Sequence, residues 1–163
     1  MTPKGAASTF GYYQAAKALS QVEQILGNQA DSTRYGNLAA SIAQGYHSMW
    51  FNSTGGFAHY CANSQGCNAF ALDMGAVPAA NKSDVLSVLI DSIASNGYHI
   101  TVGEIALPSL FRVLRAARRE DVVFKIMNSE TVPSYGYQVV LGETSLWEHW
   151  DAPTTGGSYN HFM

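Results

Sequence analysis

The groups best suited to chemistry gather in one stretch near the C-terminal end, Gly142-Glu143-Thr144-Ser145-Leu146-Trp147-Glu148-His149-Trp150-Asp151. A carboxylate between two indoles, with an imidazole and a second carboxylate beside it, is a costly arrangement in a chain with few charges. Indole faces stack on the apolar C–H faces of sugar rings. A neighbouring carboxylate can activate a water or accept hydrogen bonds from hydroxyls. The competing reading is an amphipathic helical turn in which Trp147 and Trp150, at i and i+3, are core anchors and Glu148 is solvated.

The elements that must position this stretch are helical. Tyr12, Ala15, Leu19, Val22 and Leu26 step by three and four, and Gly27-Asn28 supplies a stop. Asp31 reads as the N-cap of a second helix, whose stripe runs Tyr35, Leu38, Ala39, Ile42, Ala43, Tyr46, Met49 and Trp50. Residues 52–56 break the pattern with turn residues. A short helix follows through Ser64 to Met74, ending at Gly75. Asn81 and Asp84 resemble a capping box opening a helix with Val85, Leu89 and Ile93 inward. Gly103 to Arg118 is apolar at Leu107, Leu110, Phe111 and Leu114, with Pro108 in its first turn. Glu120-Asp121 begin a helix through Met127, and short helical pieces are expected around Tyr135 to Leu141 and Ser145 to Trp150.

No alternating run competes as a strand. Six or seven antiparallel helices therefore make the chain all-α, and no fixed-period repeat suggests a solenoid. The longer links, at 56–64, 98–103, 129–137 and 151–161, carry aromatic and polar groups. In a helical scaffold such connections usually hold the chemistry.

Composition narrows the function. The chain has 163 residues, 13% of them charged, and a net charge of −3, which excludes disorder and a basic nucleic-acid surface. Arg112, Arg115, Arg118 and Arg119 sit where a helix ends and read as offsetting its dipole. The longest apolar runs are too short to span a membrane. No apolar signal segment follows Met1, so either the chain works in the cytosol or its natural start lies upstream. Cys61 and Cys67, with only His59 near, do not make a metal site; a local disulfide and two unrelated thiols are equally open. Asn52-Ser53-Thr54 and Asn81-Lys82-Ser83 match the N-glycosylation sequon, a pattern that also arises by chance.

Several blocks in order resemble one family: Asn63-Ser64-Gln65, Ala69-Phe70-Ala71-Leu72, His99-Ile100-Thr101-Val102-Gly103, Thr131 to Tyr137, Gly142 to Trp150, and Ser158-Tyr159-Asn160-His161. Together they resemble the second half of the catalytic domain of the α-L-rhamnosidases of glycoside hydrolase family 78. The similarity covers residues 1–163. It implies a partial (α/α)₆ toroid, roughly half of a six-hairpin barrel, acting on terminal α-L-rhamnose with inversion. It also implies an extracellular parent protein, and it requires no cofactor. Carried across position by position, Glu148 resembles the general base that deprotonates the attacking water, and His161 the histidine that holds sugar hydroxyls. Trp147 and Trp150 would line the pocket, with Tyr135 at its rim and His99 on a connection facing the cleft. Glu104 and Glu143 occupy places where relatives carry small or apolar residues and receive no chemical role.

The departures from the family are as informative as the matches. The family's general acid lies on an earlier segment, for which residues 1–10 have no equivalent. The resemblance therefore implies a fragment with an exposed apolar flank that invites self-association. Two rivals remain: a non-catalytic helical carbohydrate- or partner-binding module, which would not need Glu148, and a scaffold without ligand. A polysaccharide lyase of the same toroidal shape would need an arginine to neutralise a uronate, and the loop residues offer none.

Overall fold

Three antiparallel helical hairpins stand side by side in the computed structural model, which describes residues 2–160. α1 (Lys4–Ile25) is followed back by α2 (Gln29–Trp50), α3 (Gln65–Asp73) by α4 (Lys82–Ser95), and α5 (Leu107–Ala116) by α6 (Glu120–Met127). The first members of the pairs are themselves neighbours, α1 touching α3 and α3 lying against α5. Two short helices follow, α7 (Tyr135–Val140) and α8 (Ala152–Thr155). Tight turns at 26–28 and 117–119 join hairpin arms at one end. The long links at 51–64, 96–106 and 128–134 gather at the other, beside the N-termini of α1, α3 and α5.

The core follows the stripes read for the later helices. Val85, Leu89 and Ile93 of α4 are buried, as are Leu107, Leu110 and Leu114 of α5 and Val122 and Ile126 of α6. Phe10 stacks on Phe70 with ring centroids 4.2 Å apart, joining α1 to α3. Each such ring contributes roughly 1.5–3 kcal/mol through burial. α3 is the centre: every residue from Gln65 to Ala71 is buried. Its N-terminal turn comes so close to Thr2 that a Cβ on Gly66 would lie 2.3 Å from the Thr2 hydroxyl.

The structure corrects the sequence reading at several points. α1 begins at Lys4 and turns Ala6, Phe10 and Ala16 inward. The stripe through Tyr12, Ala15, Leu19, Val22 and Leu26 is the exposed one. Two apolar stripes share this helix, and spacing alone does not rank them. The second helix starts at Gln29 after Asn28, so Asp31 lies in its first turn and pairs with Arg34 instead of capping. Asn81 makes no side-chain cap. Gly103 to Ala106 is a turn ahead of α5, with Pro108 in that helix's first turn as expected.

Ser145 to Trp150 is not helical but a chain of turns and bends, because the Glu148 amide donates to the carbonyl of distant Ser158 (2.9 Å). A small antiparallel ribbon, β1 (Phe51–Asn52) and β2 (His59–Tyr60), pairs Phe51 with Tyr60 and Asn52 with His59. Two residues per strand are too few for an alternation to register. Among the described residues, Arg112 and Arg119 of the four arginines have carboxylate partners. Arg112 donates to the Asp73 carboxylate from Nε and from Nη2, the latter at 2.7 Å, and Arg119 donates to Asp121 at 2.8 Å.

Cys61 and Cys67 are joined by a disulfide. It ties the end of the ribbon to the first turn of α3. In chain-entropy terms a loop this short contributes about 2 kcal/mol. Among the described residues, no helix is long and apolar enough to cross a membrane.

Candidate active site

Buried polar side chains on α3 fix two connections, of which the one at 96–106 lines the site. Gln65, 1% exposed, accepts a hydrogen bond from the Thr101 amide (2.9 Å) and donates to the His99 carbonyl. Asn68 accepts from the Tyr60 amide (2.8 Å) and donates to the Asn63 side chain (2.9 Å). The Ser64 hydroxyl caps the helix by accepting from the Cys67 amide. A buried amide without partners is costly, so these groups hold two loops in one arrangement. Behind them, the Tyr60 hydroxyl meets His47 Nδ1 at 2.8 Å, and Tyr46 donates to the Cys67 carbonyl. Burial raises the pKa of both phenols, Tyr60 to about 12, so each stays a neutral hydrogen-bonding group.

The result is an open cleft of about 460 Å³ at the loop-bearing end. One part of its wall is the 101–107 connection, another is Glu148-His149-Trp150, and Phe70 and Ala7 supply the floor from α3 and α1. Its size suits a small sugar. Its lining mixes apolar surface with two carboxylates, Glu148 and Glu104, the His149 imidazole and the hydroxyls of Thr2 and Thr101.

Glu148 is held by Ser158 through both its main chain and its side chain. Its amide donates to the Ser158 carbonyl (2.9 Å), and its Oε2 accepts from the Ser158 amide (3.0 Å). Gly157 makes this approach possible. Its φ is +130°, and a Cβ there would meet the His149 ring at 2.9 Å. A carboxylate oriented by a backbone amide and open to a cleft can serve as a base towards water, provided that a second acid stands across the substrate.

The other candidate residues are dispersed. Trp150 lines the cleft, half-buried, with the Tyr135 ring edge-on to it at 5.0 Å. Tyr135 therefore stands behind Trp150, and burial raises its pKa. Trp147 is 1% exposed, packs edge-on against Tyr159 at 5.9 Å and does not line the cleft. Its Nε1 has no hydrogen-bond partner among the described residues. His99 is a tie between connections. Its Nδ1 faces the Asn96 carbonyl (3.0 Å), and its Nε2 faces Thr131 Oγ1 (2.9 Å) and Ser129 Oγ (3.1 Å). His161 lies outside the described residues.

Sequence reasoning gave no role to Glu104 and did not name Thr2, though both line the cleft. Only the folding of distant segments brings them there, so no local spacing signals it. Among the described residues, no group of His, Cys, Asp and Glu could hold a metal ion.

A family model, the bacterial alpha-L-rhamnosidase 6 hairpin glycosidase domain, matches residues 1–163. The chain belongs to this family. An alpha-L-rhamnosidase of Streptomyces avermitilis is 26% identical over 99% of the chain, and one of Formosa agariphila is 24% identical over 91%. The solved structure of the Streptomyces enzyme complexed with L-rhamnose superposes over 98% of the chain with a TM-score of 0.86. That of an alpha-L-rhamnosidase from Dictyoglumus thermophilum superposes over 93% at 31% identity, with a TM-score of 0.83. The chain spans about one sixth of these relatives, 16% of the two curated proteins and 16–17% of the solved chains. Its three hairpins are thus part of the helical toroid of the six-hairpin rhamnosidase family.

The contact between Glu148 and Ser158 can be checked in this rhamnosidase-family chain by amide hydrogen exchange. Glu148→Ala removes a hydrogen bond from an amide to a charged acceptor, and exchange at Ser158 should quicken by roughly tenfold or more. Unchanged exchange there would mean that the carboxylate does not hold the 157–160 segment.

Proposed function

We propose that this chain is the C-terminal half of an inverting α-L-rhamnosidase catalytic domain, with Glu148 as the general base. The observation that carries the proposal is the placement of Glu148 in a sugar-sized cleft beside Trp150, with its carboxylate oriented by the Ser158 amide. Trp150 offers an apolar face to the ring and to the 6-methyl group that distinguishes rhamnose from an ordinary hexose. The Streptomyces relative solved with L-rhamnose supports the choice of sugar.

In this mechanism Glu148 takes a proton from a water as that water attacks the anomeric carbon. A second carboxylic acid donates a proton to the departing oxygen, so the proton count balances and the configuration inverts. The two groups stand roughly 6.5–9.5 Å apart to leave room for the water. The acid belongs to a part of the parent catalytic domain beyond these residues, in keeping with the one-sixth share of its relatives that the chain spans. His161 is the proposed holder of sugar hydroxyls, while Tyr135 supports Trp150 from behind.

Release of the chromophore from an aryl α-L-rhamnoside tests this account. The isolated chain should turn over negligibly. In a parent polypeptide carrying the acid, Glu148→Gln should lower kcat by roughly 10²–10⁴. Clear turnover by the isolated chain, lost in Glu148→Gln, would refute the missing-acid part of the proposal. Full activity of the parent with Gln at 148 would refute the base.

The exposed stripe of α1, with Tyr12, Leu19, Val22, Ile25 and Leu26, is the proposed face for self-association of the isolated chain. Sedimentation velocity should show a species that grows with concentration and reverts to monomer in Leu19→Lys/Val22→Lys. A monomer at all concentrations would contradict it.

A further inference from the structure

We propose that Asn52 is an acceptor for N-linked glycosylation, and that the first sugar of its glycan lies in the groove between the ribbon turn and α4. The sequon Asn52-Ser53-Thr54 runs from the end of β1 into the turn that leads to β2. Oδ1 of Asn52 accepts two hydrogen bonds, from the Thr54 amide (2.8 Å) and from the Thr54 hydroxyl (2.5 Å). Both close within three residues, so they need no tertiary structure and are open to a chain that has not yet folded. A carboxamide nitrogen is a poor nucleophile, because its lone pair is delocalised into the carbonyl. Donors on Oδ1 stabilise the charge that gathers there as Nδ2 loses a proton. In the transfer, Nδ2 forms a bond to the anomeric carbon of a polyprenyl-pyrophosphate-linked oligosaccharide. The bond from that carbon to the pyrophosphate oxygen breaks, the pyrophosphate leaves with the electron pair, and the Nδ2 proton passes to a base of the transferase.

Asn52 is half-buried at the base of a turn that stands clear of the helices. Residues 53–57 are exposed, and a Cβ on Gly55 or Gly56 would meet no atom of the described residues within 4 Å. A bulky polar glycan is tolerated at such a place. The Cys61–Cys67 disulfide at the foot of the same ribbon belongs to oxidising compartments, where sequons are also used. Beside the turn, Thr54, Phe57, His59, Asn63, Asp91 and Ser92 line a groove of about 420 Å³. Phe57 is 65% exposed and offers an aromatic face to the C–H face of a sugar, with hydroxyl and carboxylate groups around it. The second sequon is arranged differently. Asn81 closes a 3₁₀ turn, and Ser83, in the first turn of α4, directs its hydroxyl to Asp84 (3.4 Å).

Cell-free translation of the chain behind a cleavable leader, with microsomes present, tests the acceptor. Leader removal reports import and mass reports the glycan, whether or not a variant folds. One glycan is expected, released by an amidase with conversion of Asn52 to Asp. It should be absent in Asn52→Gln and in Thr54→Ala, and unchanged in Asn81→Gln. An imported chain without a glycan on Asn52 would overturn the proposal, whatever Asn81 carries. The groove is tested on the secreted chain with its glycan trimmed to a single N-acetylhexosamine. This form should melt about 2 °C above Asn52→Gln, as a sugar–aromatic contact would give in a chain of this size. The difference should vanish when both forms also carry Phe57→Ala. A difference that persists without Phe57, or none with it, would overturn the seating of the sugar in the groove.

Discussion

The fold depends on a helix that has no solvent face. α3 is buried along its first seven residues, and two of those residues, Gln65 and Asn68, are amides that require partners. They find them in the main chain and side chains of two connections, at Thr101, His99, Tyr60 and Asn63. The disulfide from Cys67 adds a covalent tie to the same ribbon. Satisfying the polar groups of one buried helix thus gives shape to two loops, and one of them, at 101–106, makes up much of the cleft wall. Packing and function are linked here through hydrogen bonds that the core cannot leave unmade.

How much of this was legible in the sequence depends on the range of the forces involved. The inward stripes of α4, α5 and α6 are local patterns, and Leu89, Leu110 and Ile126 lie where periodicity puts them. α1 shows where periodicity stops. Phe10 and Tyr12 both belong to apolar stripes, and only the position of Phe70 decides that Phe10 turns inward. The segment at 145–150 was read as a helical turn from the spacing of its indoles. It bends instead because Ser158, ten residues on, pairs with Glu148.

The candidate site divides in the same way. Glu148 and Trp150 were visible as types in a pattern, and the family resemblance gave them roles. That Trp147 packs on Tyr159 while Trp150 reaches the cleft is a tertiary fact, since two indoles three residues apart carry the same local signal. His99 was placed facing the cleft and instead ties two connections together, through groups at 96, 129 and 131. Glu104 was weighed in the sequence and given no chemical role; only the fold brings it to the cleft.

The account depends on the cleft at the loop-bearing end being a rhamnose site. Nuclear magnetic resonance of the ¹⁵N-labelled chain titrated with L-rhamnose addresses this directly, because both the Trp150 indole and the Ser158 amide report on it. Saturable shifts at those two signals, with the indoles of Trp50 and Trp147 little affected, are the predicted result. Saturable shifts confined to the exposed face of α1, or no saturable shift at Trp150 and Ser158, would contradict the account.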